Sequence, residues 1–493
     1  MGHSNLLSNL IETMPIPVSC SVTATPTLPT KPMPGTYGLP LVGPLKDRLD
    51  YFWFQGPETF FKARSAAYKS TVFRTNIPPT FFGVNPRVVA VLDCSSFSSL
   101  FDNTLIDKSD VLIGPYCPSP NFTGGTRVGV YLDTTDPKHS RIKNFCFDLL
   151  KRSSRVWISE FLLNLDALLT TAEADIASSG SSSLLVPLQK CIFNFLCKSL
   201  VGADPKVSPE IAENGFIMLD KWLAFQILPT QKIGVIPQPF EELLLHSFPF
   251  PSFLVSSDYK KLYEFVEKEG REVVKLAEDE YGLTKSDAIN NILFVLGFNA
   301  FGGFSVFLPA LITTVGRDKS GLRDRLRAEV RKVMADKTEL DFKAVVEMEM
   351  VRSTVYEVLR MNPPVPLQYG RARSDFVVNS HESSYKVEKG ELLCGYQPLV
   401  MRDPVVFDDP DTFMPDRFTG AKGKELLQYL FWSNGRETAT PTAGDKQCAA
   451  KDFVVFTACM LVAQILNKYD DFECDDGNLA FSKLEKKTES VIV

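Results

Sequence analysis

The sequence predicts a mainly α-helical domain with a minor β part, and three observations lead there. Helical periodicity runs from Lys138 through most of the chain, β-type alternation is confined to two short stretches, and no linker separates two cores across the 493 residues. With 44% hydrophobic and 23% charged residues the chain can bury a large core, which excludes a disordered, collagen-like or disulfide-stapled protein. The formal charge of −6 supplies no global positive field, so the reading is no nucleic-acid partner.

The elements follow in order. Residues 1–33 read as a flexible leader or transit segment, and 34–493 as the folded domain. The first 30 residues hold one acid, Glu12, no Lys or Arg, and many Ser, Thr and Pro. That is neither a signal peptide nor a membrane anchor, and leaves an organelle transit segment or a disordered leader. Pro32–Pro44 is a Pro/Gly-rich lead-in, and Thr71–Leu92 alternates apolar and polar residues as strands do. The helical part is interrupted at Ser178–Ser183 and at Pro229–Pro251. Leu322–Met334 is predicted as a surface helix resting on Leu322, Leu326, Val330 and Val333. Short strands return over Val377–Val400, and Asp452–Leu466 is a final apolar helix.

Two apolar stretches need a decision. Ile292–Ile312 would pass a hydropathy filter for a membrane span. Its Asn299, its glycines (Gly297, Gly302, Gly303), Pro309 and the lack of basic flanks favour a helix buried inside the domain. Leu244–Val255 is either core or a lip that rests on a membrane surface or admits a lipid.

Ten scattered cysteines, without C-x-x-C spacing, indicate a reducing compartment, and four separated histidines argue against a His-built metal site. The strongest chemical signal is Pro441–Asp452. There Cys448 follows Gly444 and Lys446 just before a predicted helix, where the helix N-terminus and the lysine favour the thiolate and metal ligation. Far upstream, Glu357 and Arg360 lie one turn apart on one helix face. Arg417, in Phe413–Phe418, offers a second guanidinium, and a carboxylate between two guanidiniums can fix a loop in place.

This order (E-x-x-R, then P-x-R-F, then a Gly-containing Cys loop) resembles the cytochrome P450 superfamily, over nearly the whole chain from Pro34. The resemblance implies a single haem-thiolate catalytic domain with haem b as cofactor, Cys448 as axial ligand to the iron, and Glu357, Arg360 and Arg417 as a structural triad. Two departures matter. Pro441 stands where the haem loop usually has Phe, because Phe431–Gly435 has been pushed away by an insertion. The central helix, reading Gly297–Gly303, has neither the acid nor the Thr that monooxygenases use to protonate bound dioxygen.

These departures are similar to the plant fatty-acid hydroperoxide branch: hydroperoxide lyases, allene oxide synthases and divinyl ether synthases. The shared residues are Phe298–Gly303, Lys446–Asp452, Asn362–Leu367 and Pro118–Gly125. The resemblance implies a fatty-acid hydroperoxide substrate, no reductase partner, and homolysis of the substrate O–O bond. An epoxyallylic radical then follows, whose fate the pocket decides.

Asn299 is then the amide that holds the hydroperoxide, with a helix–helix hydrogen bond as its alternative role. Lys108, His139, Lys143 and Lys446 are the candidate cations for the haem propionates. Leu112 stands where allene oxide synthases have Phe, whose ring can stabilise an electron-poor intermediate. With Gly297 offering no base, this points to a lyase forming a hemiacetal that breaks into an aldehyde and an oxo acid; an allene oxide or divinyl ether synthase is the alternative. The chloroplast is the expected compartment, with the cytoplasm as alternative and peripheral membrane contact at the apolar lip.

Overall fold

The computed structural model describes residues 28–81 and 83–487. Residues 1–27 of the expected leader lie outside the described residues. Thr30–Lys31 already pairs in parallel with Ser384–Val387, so the fold takes in residues just ahead of position 34.

The organising element is a long central helix. It runs as α-helix over Lys285–Phe294, as π-helix over Val295–Phe301, and as α-helix again over Gly302–Gly316. Its length and composition would suffice to cross a membrane. It is instead a core helix, because Ile289, Leu293, Phe301, Leu308, Leu311 and Val315 are buried in the main hydrophobic cluster. Leu185–Leu196, Glu349–Met361 and Lys451–Lys468 pack around it. The π turns sit where Gly297 meets its neighbour: a Cβ there would lie 2.7 Å from Leu219 Cδ1 and 2.9 Å from Trp222 Cζ3. Only a glycine lets the helix approach this closely, and π segments of this kind gather at functional positions.

The surface helix Leu322–Met334 buries Leu322, Leu326 and Val330, the stripe its periodicity requires. Its arginines reach across to a C-terminal hairpin, Tyr469–Cys474 with Ala480–Lys486, that sequence periodicity did not reveal. Arg323 Nε donates to Asp471 Oδ1 at 2.8 Å, and Arg331 pairs with Asp470 at 2.7 Å.

The β part centres on a five-stranded sheet, ordered Val72–Asn76, Arg87–Val91, Leu392–Tyr396, Leu367–Ala372 and Ile106–Asp107. The first two strands form the antiparallel pair expected in Thr71–Leu92, with Val72 opposite Val91. Within the expected strand region Val377–Val400, the last four residues, Gln397–Val400, are a helical turn. The lead-in ends early, because Val42–Leu49 and Pro57–Tyr68 are helices. The second begins with Pro57 at its first position, where a missing N–H costs nothing, after Gly56 at φ 79°.

Leu244–Val255 divides between the two readings open for it. Leu245, His246 and Val255 are buried, whereas Leu244, Phe248, Phe253 and Leu254 are exposed. The segment is clasped to the first helices: Trp53 Nε1 donates to Glu242 Oε2 at 3.0 Å, and Phe52 stacks on His246 at 4.0 Å.

Candidate functional site

The loop that delivers Cys448 is a network of short hydrogen bonds. Cys448 N–H donates to Ser433 O at 2.8 Å, so the displaced Phe431–Gly435 segment still frames the cysteine despite the insertion. Asn434, at φ 58°, turns the chain there and its amide donates to Lys446 O at 3.1 Å. Gln447 Nε2 donates to Ser433 Oγ at 3.1 Å and Arg436 O at 2.7 Å. Its side chain also fills the space a Cβ on Gly435 would need, 2.6 Å from Gln447 Cδ. The inserted segment has its own anchor: Glu437 is buried beside Lys451, whose Nζ donates to Glu437 O at 2.9 Å. Burial pushes the Glu437 carboxyl up to about 7, against the pull of Lys451.

The sulfur's electrostatics correct one expectation. Burial raises the Cys448 thiol above its ordinary value and outweighs the downward pull of the Ala450 N–H, Lys143 and Lys451. The helix beginning at Lys451 therefore acts with the expected sign, but desolvation wins. A metal ion would supply the positive charge that such a buried sulfur needs to exist as thiolate.

Behind this loop, Glu357 sits between two guanidiniums. Arg360 donates to it at 2.7 and 2.8 Å, and Arg417 Nε contacts both its oxygens at 3.1 Å. All three residues are buried. The remaining guanidinium N–H groups hold backbone carbonyls: Arg360 those of Met401 (3.0 Å) and Pro410 (2.7 Å), Arg417 those of Asp408 (2.6 Å) and Thr412 (2.9 Å). A mechanical path leads onward, since Phe431 N–H donates to Met401 Sδ at 3.3 Å and Ser433, two residues later, holds Cys448. A buried pair of this kind is weak evidence for stability; here the ions satisfy loop carbonyls that would otherwise be orphaned.

Lys108 and Lys446 are both buried or nearly so, and among the described residues neither forms an ion pair with a carboxylate. Lys108 Nζ donates to Tyr369 O at 2.7 Å and reaches Asn434 Oδ1 at 3.5 Å; Lys446 Nζ donates to Gly129 O at 3.0 Å and Val130 O at 3.2 Å. Burial, then the charge of Lys446, lowers Lys108 to about 7. Burial, then Lys143, lowers Lys446 to about 7. His139 is buried with no partner for Nδ1, and burial together with Lys446 and Lys143 lowers it to about 4. Two desolvated ammoniums and an orphaned ring nitrogen suit a dianionic group such as a pair of propionates.

Lys143, the fourth expected cation, stands next to this set, one helical turn beyond His139. Its ammonium donates to Asp445 O (2.9 Å), Asp445 Oδ1 (3.2 Å) and Gln447 O (2.6 Å), in the loop that carries Cys448.

On the central helix, Asn299 is exposed while Leu296, Gly297 and Phe301 beside it are buried. Among the described residues its side chain has no hydrogen-bond partner. Phe298 stacks on Phe294 at 4.9 Å and Trp222 meets Phe294 edge-on, giving the helix an aromatic flank. Leu112 is half-buried against the main core, four residues beyond Lys108. The structure thus groups Glu357 with Arg360 and Arg417, and Lys108 with Lys446 and His139. Asn434, Gln447 and the Glu437–Lys451 pair were missed by sequence reasoning; the Asn434–Gly435 dipeptide was the available turn signal.

The cytochrome P450 family pattern matches residues 319–474. The chain is 58% identical over 455 residues to the chloroplastic linolenate hydroperoxide lyase of Arabidopsis thaliana, covering 92% of each chain. It is 56% identical over 468 residues to the chloroplastic fatty acid hydroperoxide lyase of Solanum lycopersicum, covering 94% of this chain and 98% of that one. The chain belongs to the cytochrome P450 superfamily, in its fatty-acid hydroperoxide branch. The chloroplastic allene oxide synthase of Arabidopsis thaliana stands further off, at 42% identity over 467 residues, 93% of this chain and 90% of that one. Membership of the P450 superfamily implies a haem, and the thiol, the cation set and the orphaned His139 nitrogen fit one.

Proposed function

We propose that this P450 is a fatty-acid hydroperoxide lyase. It isomerises a polyunsaturated fatty-acid hydroperoxide to a hemiacetal that breaks into a short-chain aldehyde and an oxo acid. The product holds every atom of the substrate, so neither O₂ nor NAD(P)H is consumed and no reductase partner is needed. The observation that carries the reading is Asn299: an amide with no side-chain hydrogen-bond partner among the described residues, exposed between the buried Leu296, Gly297 and Phe301 of a helix that has no acid or Thr beside it. Identity of 56–58% to hydroperoxide lyases, against 42% to an allene oxide synthase, supports the lyase over the synthase.

Cys448 would ligate the iron of haem b and Lys108, Lys446 and His139 would hold its propionates; the group would supply one-electron chemistry at the O–O bond. The chain's residues do the rest. Asn299 orients the hydroperoxide through its amide, and the aromatic flank of Phe294 and Phe298 keeps water from the reacting carbons. Leu112 offers no π face to a cationic intermediate, which leaves hydroxyl recombination as the outcome. Glu357, Arg360 and Arg417 keep the Cys448 loop in place.

The names of the relatives support a chloroplast location. Exposed Leu39, Leu41 and Phe54, beside exposed Phe240, Leu243, Phe248 and Phe253, support peripheral contact with a membrane face, since the two segments are clasped through Glu242. Mass-spectrometric product analysis with the 9- and 13-hydroperoxides of linolenic acid tests the reading. Aldehyde and oxo acid are expected; ketols from an allene oxide would favour the synthase.

A further inference from the structure

We infer that Gly303 is a specificity-determining residue of the hydroperoxide reaction: its missing side chain keeps the clearance that the substrate's carbon chain needs beside Asn299. The inference deepens the lyase reading above and rests on it.

The central helix carries four glycines, and three of them are accounted for by the protein's own atoms. A Cβ on Gly297 would lie 2.7 Å from Leu219 Cδ1, one on Gly302 2.8 Å from Leu223 Cδ2, and one on Gly316 2.6 Å from Cys474 Sγ. Gly303 is different. A Cβ there would meet nothing within 4 Å, and the backbone is helical, with no positive φ to call for glycine. Glycine inside a helix is destabilising relative to alanine, because it has more conformational freedom to lose on folding. Neither packing nor backbone geometry explains that cost at position 303.

The surroundings of Gly303 supply a reason. Asn299 and Gly303 are four residues apart, neighbours on the helix surface. Val306, three residues further, is 56% exposed, while Phe301, Phe304 and Phe307 are buried. The helix is thus packed on its other sides and open along one face. The amide of Asn299 is exposed on that face, with no side-chain hydrogen-bond partner among the described residues. The hydroperoxide group of a fatty acid sits on a secondary carbon with a chain arm on either side. An amide that holds this group therefore needs clearance next to it along the helix. Val295 stands four residues before Asn299 and Gly303 four residues after, so the bare backbone gives that clearance on the C-terminal side. A methyl group added there would press on the chain, and a misfit of one methylene changes kcat/KM by about 10–200-fold. Haem is the rival occupant of the same space, and the two occupants make opposite predictions for haem binding.

The test compares the wild type with Gly303→Ala and Gly303→Val. It reads the denaturant midpoint of the apoprotein, the haem content, and kcat and KM for the 9- and 13-hydroperoxides of linolenic acid. Expected for the Ala variant are a higher midpoint, a wild-type haem content and a kcat/KM lowered about 10–200-fold on the preferred isomer, with a further loss in the Val variant. A wild-type kcat/KM in both variants overturns the inference. So does loss of haem from the Ala variant, which gives the space to the macrocycle, and so does a lowered midpoint, which shows protein atoms filling it. A wild type that converts no fatty-acid hydroperoxide fails the function proposed above, and the inference falls with it.

Discussion

On the Cys448 side of the site, Ser433, Asn434, Gln447 and Lys143 tie almost every turn of the loop to another segment, and Glu357 with its two arginines braces the backbone behind it. On the Asn299 side there is little of this kind. The helix presents buried apolar residues, stacked aromatic rings and one amide with no side-chain hydrogen-bond partner among the described residues. On the proposed reading the contrast matches two tasks. A metal ligand must not move, so its surroundings are over-determined; a chamber for a flexible acyl chain needs shape and one polar contact.

Substitutions on the two sides should therefore fail in different ways. The largest effect belongs to Cys448→Ser, which should abolish the thiolate haem spectrum and turnover together, read by absorbance of the purified protein. Next comes Glu357→Gln, which leaves two buried guanidiniums without their carboxylate and should cost about 3–5 kcal/mol in stability. Denaturant melts would show it, and an unchanged melt would mean the triad is not braced as described. Asn299→Gln should do the reverse: the melting temperature and haem spectrum stay, while turnover falls on the order of 10²-fold. A loss of stability in that variant would erase the contrast between the two sides.

A pH experiment probes the cation set directly. Lys108, lowered to about 7 by burial and by Lys446 opposite it, binds its proton less tightly in the folded apoprotein than in the unfolded chain, where it titrates near its ordinary 10.5. Between those values the unfolded state holds more protons, so stability of the apoprotein should rise with pH from about 7 toward 10. Haem, by pairing the ammonium with a propionate, should flatten that slope, and Lys108→Met should remove the Lys108 contribution. Smallest is Leu112→Phe, which should leave stability and total turnover near wild type and shift products from aldehyde toward ketols. An unchanged product mix would take Leu112 out of the mechanism.

How much of this could be read from the sequence depended on the range of each interaction. Glu357 and Arg360 were legible because three residues on a helix are neighbours in space, and the Leu322–Met334 helix because its stripe follows the 3.6-residue period. The fold class followed from such local signals. The early helices at Val42–Leu49 and Pro57–Tyr68 were hidden by Gly43–Pro44 inside the first turn of one and Gly56–Pro57 at the start of the other, and the C-terminal hairpin by charged residues that pair with Arg323 and Arg331. The contacts of Lys143 were hidden for a different reason. Two of its three partners are backbone carbonyls some 300 residues away, and carbonyls leave no trace in the identity of the residues that carry them.

The most direct measurement is turnover of a fatty-acid hydroperoxide by the purified protein under argon, with no NAD(P)H and no reductase. Formation of aldehyde and oxo acid at the same rate as in air is the predicted result. Activity that appears only with NADPH, a reductase and oxygen would contradict the account.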